Sequence, residues 1–278
     1  MHALATRLIQ DFRGAVLIGP VLLAALLLSP SLKAGKKKSA DNLTGKQIIE
    51  RINEVSGLGV KNGIAKVKMI LQEKNGGKRE RVFIVRSKET GGLRKTVLKF
   101  LSPADVMGTG LLLLEKSKGN DDQYLYLPET GKARKVAGKQ RSSAFLSSDF
   151  LYWDLRSHAI DDADHERLPD ETVSGMNCMA VKTMPREDAE APYGKIITWV
   201  AVSNDVPVKM EFYDGKDNLV KKLFNSRIEK KEGTWVIMES GMTTVKSGHQ
   251  TKLIVQTIEF KDDISDDEFT KNALKRVE

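Results

Sequence analysis

The sequence contains a single cysteine in 278 residues, so no disulfide can form within the chain and the core alone must hold the fold. Cys178 lies in the apolar run Met176 to Val181, which reads as a strand, and no neighbouring base activates it; packing is its expected role. Histidine is also sparse, with four in the chain: His2, His158, His165 and His249. No His-Glu-x-x-His, Gly-x-Ser-x-Gly or P-loop pattern occurs, and one thiol excludes cysteine-rich zinc sites. No catalytic residue, resident metal or cofactor is therefore expected. The densest group of ligand-type residues, Asp161-Asp162-Ala163-Asp164-His165-Glu166, lacks the central glycine and distal glutamate of a calcium loop and reads as a solvated acidic loop.

Long apolar runs are also missing. The longest, Ala15 to Leu28, is interrupted by Gly19-Pro20 and falls short of the roughly 20 residues that a spanning helix needs. With Arg7 and Arg13 ahead of it and the exit Ser29 to Ala34 behind, it predicts a secretory signal peptide over Met1–Ala34 rather than an anchor. No cysteine stands at that junction to take a lipid, so residues 35–278 are expected to be one domain free in its compartment, as a monomer. Removing the leader takes three bases and one acid from the net charge of +8, leaving +6. Apart from Lys36-Lys37-Lys38 the bases are scattered singly along alternating segments, as on the solvent face of a sheet, and export makes nucleic acid an unsuitable partner.

What is present is alternation. Thr44 to Ser56 has Ile48, Ile49, Ile52 and Val55 at helical spacing, with Gly57 and Gly59 as a stop, and predicts a short amphipathic helix. Beyond it the period is two. Ala65 to Leu71 and Arg81 to Val85 flank Asn75-Gly76-Gly77 as a hairpin; Thr96, Leu98 and Phe100 alternate with lysines; Gly108-x-Gly110 introduces Leu111 to Leu114, apolar on both faces. Further strands are expected at about 174–184, 195–202, 207–213, 219–228, 234–244 and 252–260, punctuated by Asp214-Gly215, Glu232-Gly233 and Ser247-Gly248. So many consecutive strands without helical crossovers exclude a doubly wound sheet and predict one large curved antiparallel sheet or barrel. Ser265 to Glu268 reads as a capping box opening a C-terminal helix that carries Phe269 and Leu274.

The stretch from Asp121 to Leu155 breaks this pattern. Gln123 to Leu127 is a strand with Tyr124 and Tyr126 on one face and Leu125 and Leu127 on the other. Ala133 to Val136 returns after the turn Glu129 to Lys132. Arg141 to Ser148 is serine-rich yet carries Phe145 and Leu146, and Phe150, Leu151, Tyr152 and Trp153 follow in a row. Such a loop lies across something apolar. Leu112, Leu114, Tyr124, Tyr126, Trp199 and Phe212 exceed what a one-sided core requires. Their pattern leaves open whether they line a hollow or pack against helices and the Phe145 loop.

The run SSAFLSSDFLYWDL, with DDQYLYLP and LSPADVMGTGLLL before it, resembles the LolA-like outer-membrane lipoprotein-sorting proteins, whose signature is Ser-Phe-x-Gly-Ser-Asp-Phe-x-Tyr-x-Asp-Leu. Ser143, Phe145, Ser148, Asp149, Phe150, Tyr152, Asp154 and Leu155 supply comparable letters; Ala144 is an insertion, and Ser147 stands where the family often has glycine. The resemblance runs from about Lys46 to the C-terminus. It implies an unclosed half-barrel covered by an N-terminal helix, a central loop and a C-terminal helix. It also implies a periplasmic carrier that binds acyl chains of lipoproteins or another lipid and moves them towards the outer membrane, served by an inner-membrane transporter and an outer-membrane acceptor. On that reading the cavity and lid comprise Leu98, Phe100, Leu112, Leu114, Tyr124, Tyr126, Phe145, Leu146, Phe150, Tyr152, Trp153, Trp199 and Phe212. A lipid-sensing regulatory or scaffold module with the same fold is the alternative, and a secreted lipid hydrolase is disfavoured by the missing nucleophile motif.

Overall fold

The computed structural model describes residues 42–54, 61–117, 121–155 and 160–276. The leader Met1–Ala34, the helix-stop Gly57 and Gly59, and His158 lie outside the described residues. Helix α1 (Gly45–Glu54) opens on a capping box: the Gln47 amide donates to Thr44 Oγ1 at 3.2 Å and the Thr44 amide to Gln47 Oε1 at 3.1 Å. Gly45 is required there, because a Cβ would stand 2.7 Å from the His165 carbonyl oxygen.

The strands are β1 (Gly63–Gln72), β2 (Lys78–Thr90), β3 (Leu93–Ser102), β4 (Gly110–Leu114), β5 (Asp122–Leu127), β6 (Lys132–Lys135) and β7 (Ala163–Val173). There follow β8 (Met176–Pro185), β9 (Lys195–Ala201), β10 (Pro207–Tyr213), β11 (Leu219–Lys231), β12 (Thr234–Thr244) and β13 (Gln250–Phe260). They form one antiparallel sheet in the order β6-β5-β4-β3-β2-β1-β13-β12-β11-β10-β9-β8-β7. The pairing of β1 with β13 is the sole departure from neighbour-to-neighbour order, and β6 and β7 do not pair, so the sheet is unclosed. This is the large antiparallel sheet that the strand pattern predicts, unclosed as the family resemblance implies.

One consequence is topological. β6 ends at one edge and β7 begins at the other, so the chain between them must cross a face of the sheet. It crosses the inner face, where Ala65, Val67, Met69 and Leu71 of β1 and Phe83 and Val85 of β2 share one buried phase. The crossing segment, Val136–Leu155, is called the plug below. At the β8–β9 end the same face is covered instead by α1, whose Ile48 packs with Met179, Val181 and Val200.

The outer face of β3 to β5 is covered by the C-terminal tail, with Phe269 and Leu274 against Val97 and Leu112. Leu274 sits so close that a Cβ on Gly110 would meet its Cδ2 at 2.9 Å. The expected terminal helix is replaced by two short 3₁₀ turns, Asp266–Phe269 and Ala273–Lys275. Extended Thr270 separates them, its hydroxyl bonded to both the Asp267 carbonyl (3.2 Å) and the Ala273 amide (3.1 Å), a side-chain competition that stops the first turn. The acidic run is also not a loop. From Ala163 onward it belongs to edge strand β7, and the acids are answered by bases: Asp161 by Lys46 at 2.6 Å, Asp164 by Arg186 at 3.0 Å, Glu166 by Lys182.

Candidate functional site

The plug is a chain of tight turns, Gly138–Ser142, Phe145–Ser147 and Trp153–Leu155, folded back on itself by a bridge between Ala144 and Leu151. The Phe145 amide donates to the Phe150 carbonyl at 2.8 Å, and that of Tyr152 to the Ser143 carbonyl at 3.2 Å. The tip carries two residues in left-handed backbone, Leu146 (φ 47°) and Ser147 (φ 62°). Glycine alone adopts this region freely, so the position where the resembling family often has glycine is also where this chain holds a strained serine.

Aromatic rings join the plug to the sheet. Phe83 and Phe100 lie 5.3 Å apart, Phe100 and Phe145 5.9 Å, and Phe145 meets Tyr152 edge-on at 5.4 Å. On the other side Trp153 stands edge-on to Tyr193 at 5.5 Å, and Tyr193 lies 4.9 Å from Phe212 of β10. Phe145, Phe150, Tyr152 and Trp153 are all buried.

Between these rings runs a set of polar pins. From β2, Arg81 donates to the Leu146 carbonyl; from β5, Gln123 Nε2 donates to the Tyr152 carbonyl at 2.9 Å. Asp149 is the densest junction. Its carboxylate accepts from Thr244 of β12, from Thr251 Oγ1 of β13 at 2.7 Å, and faces His249 Nδ1 at 2.7 Å, while its amide donates to Thr251 Oγ1 at 2.8 Å. Lys221 of β11 donates to the Asp149 carbonyl and lies 3.7 Å from Asp154 Oδ2. Asp154 also accepts from the Leu151 amide at 2.7 Å and the Tyr193 hydroxyl at 3.0 Å.

Burial sets the electrostatics of this network. It raises the Asp154 carboxyl above the usual range against the pull of Lys221, lowers the Lys221 ammonium, and, helped by Asp154, pushes the Tyr193 phenol far up. Burial likewise lowers the Arg81 guanidinium and raises the Tyr152 phenol. Among the described residues no group of three or more His, Cys, Asp or Glu could hold a metal ion.

The structure divides the residues singled out from sequence. Leu98, Phe100, Phe145, Phe150, Tyr152, Trp153 and Phe212 share the inner cluster, with Leu146 packed against it. Leu112, Leu114, Tyr124 and Tyr126 lie on the outer face beneath the C-terminal tail, and Trp199 on the outer face with Cys178, Ala180 and Val208, under the Lys209 ammonium at 4.0 Å. The pins Arg81, Gln123, Lys221, Thr251 and His249 were not anticipated. Lys221, Leu223 and Asn225 share the inner phase of β11, so a lysine and an asparagine at core positions were the available signal.

Among the described residues, the voids beside the plug are small. A void of about 160 Å³ opens beside Trp153, Ile52 and Met210, and one of about 70 Å³ beside Phe150 and Leu253. Both fall below the roughly 300–1,000 Å³ typical of ligand pockets. A larger one, about 330 Å³, lies by Lys99, Met107, Lys275 and Arg276 and is lined by no plug residue.

A protein-family model described as "-like: Uncharacterized protein" matches residues 92–276. No curated protein matches the sequence. Among solved structures, a Vibrio parahaemolyticus domain named for outer membrane lipoprotein sorting is 31% identical, with TM-score 0.77 over 84% of this chain and 98% of its own. A DUF1329 family protein from Desulfovibrio piger is 27% identical, with TM-score 0.77 over 83% and 97%. A LolA superfamily protein from Nitrosomonas europaea, 20% identical, has the same fold, with TM-score 0.66 over 83% and 99%.

Proposed function

Because this chain belongs to the LolA-like family of outer membrane lipoprotein-sorting proteins, we propose that it is a periplasmic carrier of acyl chains, with the plug seated over its binding face. The cargo is a lipoprotein or another acylated lipid, received from an inner-membrane transporter and delivered to an outer-membrane acceptor. The observation that carries the reading is the inner face itself. From β2 to β10 it is mainly apolar, interrupted by the polar pins Arg81, Lys221 and Thr251, and one pinned segment covers it there instead of a permanent helical layer. Among the described residues no helix is long and apolar enough to cross a membrane.

Loading requires the plug to withdraw, since the voids of about 160 and 70 Å³ that adjoin it are too small for a long chain. Leu98, Phe100 and Phe212 of the sheet, with Phe145, Leu146, Phe150, Tyr152 and Trp153 of the displaced plug, then clad the hydrocarbon. A chain of about 14 methylenes gains roughly 11 kcal/mol on leaving water. Against that gain stand the plug's own contacts with the sheet and its polar pins, which withdrawal breaks. The role is binding and release, with no bond made or broken.

The test is mass spectrometry of lipids that co-purify with the mature protein from its native envelope. Stoichiometric acylated lipid supports the reading, and its absence, with no exchange of added lipid, overturns it. Phe145→Asp, folded but still recovering the same lipid, would remove Phe145 from the site.

A further inference from the structure

The void of about 160 Å³ beside the plug is bounded by Ile49 and Ile52 of α1, by Ile196, Pro207 and Met210 of β9 and β10, and by Trp153. We propose that this void is the portal where the methyl end of an aliphatic chain lodges before the plug moves, so that the plug opens from its Trp153 end. The inference rests on the carrier reading and adds to it a place and an order of events.

The chemistry of the lining selects an aliphatic occupant. Apart from Asp162, His165, Thr183 and Thr198, the wall is hydrocarbon, indole or the Met210 thioether. Both nitrogens of His165 are already engaged, with Thr183 Oγ1 at 3.0 Å and the Ile160 carbonyl at 2.9 Å. Size limits the occupant: an apolar void of about 150 Å³ takes up benzene, so this one accepts about six carbons. It is also continuous with the interior. Ile196 and Met210 belong to the cluster that holds Phe145 and Tyr152, whereas Ile49 and Ile52 belong to the separate helix cluster. The portal is thus a seam between two packed units.

Its position gives leverage. Trp153 contacts Tyr193 edge-on at 5.5 Å, the Tyr193 hydroxyl donates to Asp154 at 3.0 Å, and Asp154 faces Lys221 at 3.7 Å. A chain pressing on Trp153 acts on that pair. The Arg81 and Asp149 pins belong to the far part of the plug and are not in the void's wall.

Calorimetric titration of the mature chain with n-alkanols from butanol to decanol tests this, with methyl NMR reporting on Met210. Affinity should rise about fourfold per methylene up to about six carbons and then level off, with the Met210 methyl shifting. Ile52→Phe and, from the strand side, Ala163→Phe fill the void; each should weaken hexanol binding at least tenfold while the melting temperature holds. Unchanged affinity in both variants, or a Met210 methyl that does not respond, overturns the portal. If lipid still co-purifies, the carrier reading survives that failure; if neither alcohol nor lipid binds, both fall.

Discussion

Replacing Lys221 with methionine isolates the pin that ties the plug to β11. The side chain is buried, with 7% of its surface exposed, and in the native protein it donates to the Asp149 carbonyl and lies 3.7 Å from Asp154. Methionine restores the stem but leaves the Asp154 carboxylate with only the Leu151 amide and the Tyr193 hydroxyl. Removing one member of a buried pair costs about 3–5 kcal/mol, which for a domain of this size is a fall of roughly 6–20 °C in melting temperature. The pH dependence follows from Asp154. Burial already holds its folded pKa above the unfolded value, and loss of Lys221 raises it further. A raised acid favours folding below its unfolded pKa, near 3.9, and loses that contribution as pH rises through the folded value. The deficit of Lys221→Met is therefore smallest in acid and grows towards neutrality. Urea melts across pH give the magnitude, and hydrogen exchange at the Phe145, Tyr152 and Asp154 amides shows whether the plug loosens first. A change under about 1 kcal/mol at neutral pH, or a coupling with Asp154→Asn below about 0.5 kcal/mol in a double-mutant cycle, would refute the pairing.

Three further outcomes follow from local geometry. Ser147→Gly removes the strain of φ 62° at the plug tip and should stabilise the protein by about 0.5–1 kcal/mol in a urea melt. Gly45→Ala sets a methyl group 2.7 Å from the His165 carbonyl oxygen, so α1 must shift off β7 at about 1–3 kcal/mol, read by thermal unfolding. Phe145→Ala deletes the ring between Phe100 and Tyr152, lowers stability by about 3–5 kcal/mol, and should speed uptake of a fluorescent fatty acid in stopped flow.

The alternation of Ala65 to Leu71 and the run of turn signals were enough to read an antiparallel sheet, because a half-buried strand writes its period directly into the chain. The edges were harder. β7 carries acids and Pro169, residues that suit an unpaired edge and mask the strand pattern. The two faces were harder still: Leu111 to Leu114 is apolar throughout, and nothing local says that Leu111 points to the plug and Leu112 to the C-terminal tail. The aromatics of the plug stood out as a run, but their partners come from β2, β5, β11, β12 and β13, far away in sequence. Lys221 and Thr251 reveal themselves only once the register brings Asp149 against them.

The most direct test of a withdrawable plug is to lock it. In a Cys178→Ser background, Asp149→Cys with Thr251→Cys joins plug to β13 where the Asp149 amide and Thr251 hydroxyl are 2.8 Å apart. The oxidised protein should fail to take up a long-chain acyl lipid, and reduction should restore uptake. Equal uptake in both redox states would contradict the account.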